Sequence, residues 1–189
     1  MKKEIRVLGI DDMPFSFNEE TVDIVGVVMR GGVYLEGVLK ATITVDGDDA
    51  TENIISMVEG TRHRKQLKVI MIDGAALGGF NIVDCSLVHA RTKIPVITVT
   101  RNKPDMARIR EALQKHFSDW RWRWDILKST SMEQIMLRYP VYAASWGLTT
   151  EEMKDIIKLS IVRGAIPEPL RVAHLIATGM KTGESHGRC

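Results

Sequence analysis

Apolar and polar positions along this chain follow two different periods, and the switches between them mark out the elements. Residues 4–10 (EIRVLGI) are a short apolar run with turn chemistry directly after, the pattern of a buried strand. "VDIVGVVMRGGVYLEGVLKATITVDG" predicts two strands hinged at Gly31-Gly32, the second ending at Val45-Asp46-Gly47. "DDATENIISMVEGTRHRK" then changes to helical spacing, with Asp49 as N-cap and Ile54, Ile55 and Val58 on one face. Residues 67–72 (LKVIMI) read as another buried strand, Ile82 to Arg91 as a helix, and Ile94 to Thr100 as a further strand. "NKPDMARIREALQKHF" opens a helix at Asp105, "LTTEEMKDIIKLSIV" one after a threonine N-cap, and "PEPLRVAHLIATGM" a last one with proline in its first turn. Gly164 stops the helix before it, and the tail, about 181–189, is expected to be disordered.

The order β-β-β-α-β-α-β-α, followed by further helices, predicts an α/β fold: a mixed five-stranded sheet with flanking helices, in a single domain over 1–189. Right-handed crossovers place the fourth strand parallel to the first and beside it. With 44% hydrophobic and 26% charged residues, the chain is neither disordered nor fibrous. A formal net charge of +2 excludes a uniformly basic surface, so any contact with nucleic acid has to be local. Cys85 and Cys189 are too few for a disulfide framework and point to a reducing interior. "MKKEIRV" lacks the long apolar core of a signal peptide, and no stretch approaches the ~20 apolar residues of a membrane span. A cytoplasmic protein, monomer or homodimer, with no membrane partner is expected.

Candidate chemistry lies where two apolar strands stop on acids. Asp11 and Asp12 close the first, and Asp73 closes the fourth. In open α/β sheets, functional groups gather at the carboxyl ends of parallel strands. Two carboxylates side by side repel, and one would take up a proton unless a divalent cation such as Mg²⁺ balanced them. Asp46 ends the strand before the first helix and could complete a three-carboxylate cluster. The plainer reading is that Asp46-Gly47 and Asp73-Gly74 are turn residues, and spacing alone does not decide between the two.

Five segments in order, "GIDDMPF", "TVDGDDAT", "IDGAALGGFNIVD", "IPVITVTRNKP" and "PEPLRVAH", resemble the archaeal endonuclease dU family, long catalogued as a domain of unknown function. That family is related to endonuclease V within the ribonuclease H-like fold. The resemblance runs from about Ile5 to Ala177. It implies a ribonuclease H-like sheet and an endonuclease dependent on Mg²⁺ (Mn²⁺ possible), which cuts damaged DNA at or near deaminated bases, deoxyuridine foremost, in DNA repair. It also implies catalytic and metal-binding roles for Asp11, Asp46 and Asp73, with Asp48 and Asp49 as rivals to Asp46. Arg101 falls where endonuclease V carries a lysine near its site, and Tyr34 on the tyrosine that wedges beside the damaged base. Gly74, Gly78 and Gly79 would let a DNA backbone come close.

The departures from endonuclease V are equally definite. Val33 and Glu36 replace the prolines around its tyrosine, and "GAALGGFN" offers no base-reading side chain before Asn81. Its late-helix histidine aligns with Trp146 or a neighbour, for which Glu151 or Glu152 could substitute. A nucleic-acid-binding protein that keeps the fold without turnover is therefore the alternative, and a homodimeric structural protein a third.

Other features have simpler explanations. "DWRWRWD" could stack Trp120, Trp122 and Trp124 on bases, with Arg121 and Arg123 on phosphates, but a strand or ribbon packing its tryptophans on the core is the favoured reading. Arg62 to Lys65 complements a helix C-terminus. His174, with apolar neighbours in the last helix, reads as a packed residue, and Cys85 as inert core.

Overall fold

The computed structural model describes residues 4–185. Strands β1 (Arg6–Asp12), β2 (Thr21–Arg30) and β3 (Tyr34–Thr44) lead into helix α1 (Ala50–Gly60). Next come β4 (Leu67–Asp73), a short ribbon of β5 (Ala76–Leu77) and β6 (Asn81–Ile82), and α2 (Cys85–Thr92). After β7 (Val96–Thr100) lie α3 (Met106–His116), α4 (Trp120–Lys128), the hairpin β8 (Glu133–Ile135) and β9 (Val141–Trp146), α5 (Thr150–Ser160) and α6 (Glu168–Thr182).

The main sheet has seven strands, not five, in the order β3-β2-β1-β4-β7-β9-β8. β1, β4 and β7 run parallel; β2, β3, β9 and β8 extend both edges antiparallel. The two unexpected strands come from "MEQIMLRYPVYAASW", where only Ile135, Val141, Ala143 and Ala144 are buried, too sparse an apolar set to announce a pair of strands. The hairpin at Gly31-Gly32 forms as expected, with φ of 61° and 69° at the two glycines.

"WRWRWDILK" is the second correction, because it forms helix α4 rather than a strand. At helical spacing, Trp120, Arg123, Trp124 and Leu127 share one face, and this face packs beneath the β5–β6 ribbon with Ile82 and Leu113. Trp122, on the other side, is exposed. The expected tail lies partly inside α6, and residues 186–189, Cys189 among them, fall outside the described residues.

The two faces of the sheet have different cores. Leu8, Ile10, Ile70 and Ile72 cluster with Ile54, Ile55 and Val58 of α1. Val7, Val69, Met71, Ile97 and Val99, from the alternate positions, cluster with α5 and with Leu170 of α6. α6 can lie close on β1 because Gly9 has no side chain: a Cβ there would collide with the backbone of Pro169. Ala173 and Ala177, both fully buried, keep the approach close further along the helix.

Candidate active site

The register of the parallel strands brings Asp11 and Asp73 together. β1 and β4 pair Gly9 with Met71 and Ile10 with Ile72, so Asp11 and Asp73 stand level at the carboxyl ends of neighbouring strands. Neighbouring strands lie about 4.8 Å apart. Both acids also belong to the alternation that faces α6, since Asp11 follows Val7 and Gly9, and Asp73 follows Val69 and Met71.

α6 contributes a residue that sequence reasoning missed. His174 Nδ1 lies 2.9 Å from Asp11 Oδ2 and lines a cleft with Asp73, Thr100, Arg101 and Arg171. The signal was indirect: Gly9 and Ala173 permit the tight contact that carries His174 to the end of β1. Trp146, Glu151 and Glu152 do not take this place. Trp146 pairs with Val96, at the opposite end of β7, and Glu152 closes a capping box with Thr149 at the start of α5.

Three carboxylates crowd this strand end. Burial first, and then the charges of Asp11 and Asp12, push Asp73 from an ordinary 3.8 up to about 7, while His174 and Arg101 pull the other way. Asp12 faces the α1 side, and its Oδ2 accepts a 2.5 Å bond from the Gly78 N–H. Burial pushes it up to about 6, the Gly78 N–H opposes the shift, and the Asp11 charge adds to it.

A pH dependence follows. For Asp12 and Asp73 the folded pKa exceeds the unfolded value near 3.8, so the protonated form favours the fold. Their contribution is complete below about pH 4 and is lost as pH rises through about 6 to 7. Asp23, Glu36 and Asp119, held low by Lys40, Arg6 and Arg123, change in the opposite sense, but only in acid. The melting temperature in a chelator is therefore expected to fall from about pH 5 to about pH 8. A flat or rising profile in that window would contradict the crowding of charge described here.

The remaining predicted residues are placed less uniformly. Arg101 is on the rim of the cleft, beside Asp73. Asp46 does not join the pair. Its backbone has φ 55°, its Oδ1 accepts a 2.7 Å bond from the Phe80 N–H, and its N–H donates to Gly78 O at 2.8 Å. The acids that raise Asp73 are Asp11 and Asp12, not Asp46. Asp46 thus acts as the turn residue that the plainer reading favoured. Its rival Asp49 is not a side-chain cap; it receives bonds from the Thr44 N–H and hydroxyl and from Asn81 Nδ2.

Tyr34 is at the wrong end of the sheet. It pairs with Arg30, which pairs with Arg6, whereas the acids sit five and six residues further along β1 from Arg6. The Arg30 guanidinium lies 5.1 Å from the Tyr34 ring, remote from the cleft. The three glycines also divide. A Cβ on Gly78 would meet Val22, and one on Gly79 would collide with Asp46, so both serve packing within the loop. At Gly74, with φ 75°, a Cβ would find nothing nearer than 4.0 Å, and this glycine alone of the three leaves space for an approaching backbone.

A cavity of about 390 Å³ opens on the other side of this edge. Gly74, Phe80, Met106 and Leu127 line it, and Thr100 is shared with the carboxylate cleft. The loops around it are held by buried polar groups. Asn81 Oδ1 accepts from the Ala50 N–H, and Arg123 donates to the carbonyls of Gly47 and Phe80.

The same architecture recurs in other proteins. A UPF0215 protein of Methanothermobacter thermautotrophicus is 51% identical over 99% of this chain and 93% of its own length. A crystal structure of a protein of unknown function from Archaeoglobus fulgidus is 40% identical, with a TM-score of 0.84 over 93% of this chain and 98% of that one. Endonuclease V of Ciona intestinalis, solved with a 24mer DNA containing an inosine, superposes with a TM-score of 0.58 at 12% identity, over 90% of this chain and 83% of that one. This last likeness is one of fold, the ribonuclease H-like sheet. Residues 3–181 match the family described as endonuclease dU, and with relatives this similar over nearly the full length, the chain belongs to the endonuclease dU family.

Proposed function

We propose that this protein is a metal-dependent endonuclease that cuts DNA at or beside a deaminated base, deoxyuridine foremost. The observation that carries this reading is the level placement of Asp11 and Asp73 on adjacent parallel strands, with Asp73 lining the cleft and raised to about 7 by burial and then by the charges of Asp11 and Asp12. At Asp73, burial and the charges of Asp11 and Asp12 outweigh the opposing pull of His174 and Arg101. Among the described residues, no three His, Cys, Asp or Glu side chains form a ready metal cage. A Mg²⁺ site needs none, since one or two carboxylates suffice when water and substrate phosphate complete the shell.

Asp11 and Asp73 would hold the ion; Asp46, bonded to the Phe80 N–H, would not. Bound there, a divalent cation supplies a water of lowered pKa and neutralises charge on the phosphate oxygens. The residues do the rest. His174 fixes the orientation of the Asp11 carboxylate through the Nδ1 bond, and Ile166 and Leu170 complete the lining of the cleft. Arg101 draws the phosphodiester in and stabilises negative charge as it develops. Gly74 lets the strand cross the edge of the sheet.

The test is a nicking assay on duplexes with one deoxyuridine, in Mg²⁺, in Mn²⁺ and in EDTA. Cutting confined to the lesion strand, and abolished by EDTA, is the expected result. No cutting of uracil, hypoxanthine or RNA substrates with either ion would overturn the reading.

A further inference from the structure

The cavity behind Gly74 carries an arrangement of polar groups that the cleavage chemistry does not use. β7 pairs Thr100 with Tyr142 of β9, and β8 pairs Gln134 with the same Tyr142. Directly paired residues project to one side of a sheet, so Thr100, Tyr142 and Gln134 form a row across three strands. All three line the cavity, and the first of them also borders the cleft of Asp73. Their neighbours Val99, Val141, Ala143 and Ile135 pack on the opposite face. Lys103 adds an ammonium from the loop after β7. Apart from Thr130, the remaining lining is apolar or glycine, and among the described residues no Asp or Glu contributes to it.

We infer that Lys103 and Gln134 are specificity-determining residues, which read the carbonyl edge of a single deaminated nucleobase turned out of the duplex into this cavity. The chemistry of deamination is the reason. It replaces an exocyclic amine, a donor, by a carbonyl, an acceptor, and converts the adjacent ring nitrogen from acceptor to N–H donor. An ammonium has three donors and no acceptor, so Lys103 can bond the new carbonyl but not the amine it replaced. The Gln134 carboxamide presents N–H donors beside a carbonyl acceptor, which matches a carbonyl next to a ring N–H once Lys103 fixes where the carbonyl lies. The hydroxyls of Thr100 and Tyr142 can serve either role. Among the described residues no carboxylate lines the cavity, and an amino edge brought against Lys103 would set donor against donor.

The position suits the task. A strand crossing at Gly74 would place its phosphate toward Asp11 and Asp73 on one side of the sheet edge, and its base toward Phe80 and Tyr142 on the other. The volume of about 390 Å³ accommodates one base. Thymine has the same edge as uracil, but it is held by its adenine partner. Uracil formed from cytosine faces guanine as a mismatch and costs less to extrude.

This inference rests on damaged DNA being the substrate, and its test does not depend on cutting. In EDTA, duplexes carrying uracil or cytosine opposite an abasic site, with 2-aminopurine as the adjacent base, are titrated with protein, and the fluorescence rise as 2-aminopurine loses its stacked neighbour is read. The wild type is expected to bind and brighten the uracil duplex ten- to a hundredfold more tightly than the cytosine duplex, about the discrimination that unpaired polar groups give. Lys103→Ala with Gln134→Ala is expected to bring the two affinities together, while circular dichroism and melting temperature stay near wild type. No brightening of either duplex by wild type, or a uracil preference that survives both substitutions, overturns the inference. Cutting that persists in the latter case would leave the nuclease reading intact. Brightening without any cutting would remove the nuclease reading and leave the base-reading one.

Discussion

Asp73→Asn is expected to have two effects of opposite sign. Cleavage should fall by on the order of 10³-fold or more, because the substitution removes one of the two carboxylates proposed to hold the ion and the charge that goes with it. Metal-free stability at about pH 8 should rise. Ionised Asp73 is disfavoured in the fold by burial and by Asp11 and Asp12, which is what raises it to about 7. Neutral asparagine relieves that repulsion, for a gain on the order of 2–4 kcal/mol at alkaline pH that vanishes below about pH 4. Melting curves in EDTA at the two pH values, set beside single-turnover cleavage, separate this outcome from simple damage. A variant that is both inactive and less stable at alkaline pH would mean that Asp73 supports the fold and is not a charge held ready for a cation.

The second large effect is on stability. Arg123 is 5% exposed; its Nε spans both Asp119 oxygens at 3.0 Å, and its Nη1 donates to Gly47 O at 2.8 Å and Phe80 O at 2.6 Å. Arg123→Ala would strand two carbonyls beneath the loops that carry Asp46 and Gly78, along with a cavity against Phe117. A loss of about 3–5 kcal/mol is expected, and with it roughly 10 °C in melting temperature. Arg121→Ala is the control, since that guanidinium lies at the surface over Trp120, 4.8 Å from its ring, and should change stability by less than about 1 kcal/mol. Equal effects of the two substitutions would contradict the latch assigned to Arg123.

These residues also mark how far the sequence could be read. The apolar runs of β1 and β4, each ending on an acid, located Asp11 and Asp73, because strand ends and parallel pairing follow from local pattern and chain connectivity. Asp46 illustrates the opposite case. An Asp before a Gly satisfies both a ligand set and a turn, and only the Phe80 N–H against its carboxylate distinguishes them. Tyr34 was misplaced because a matching residue type does not fix which end of a hairpin it occupies; the pairing with Arg30 does. His174 was lost among apolar neighbours, since its partner is 163 positions away. The W-R alternation suggested period two, but its length is a single turn or two of helix, too short for the period to declare itself before Arg123 found its partners.

The pairing of Asp11 with Asp73 around one cation can be examined most directly by anomalous diffraction from crystals soaked in Mn²⁺. A peak bonded to carboxylate oxygens of both residues, absent in Asp73→Asn, is the expected result. A wild-type map with no peak between them, or with the ion seated at Asp46 instead, would contradict the site proposed here.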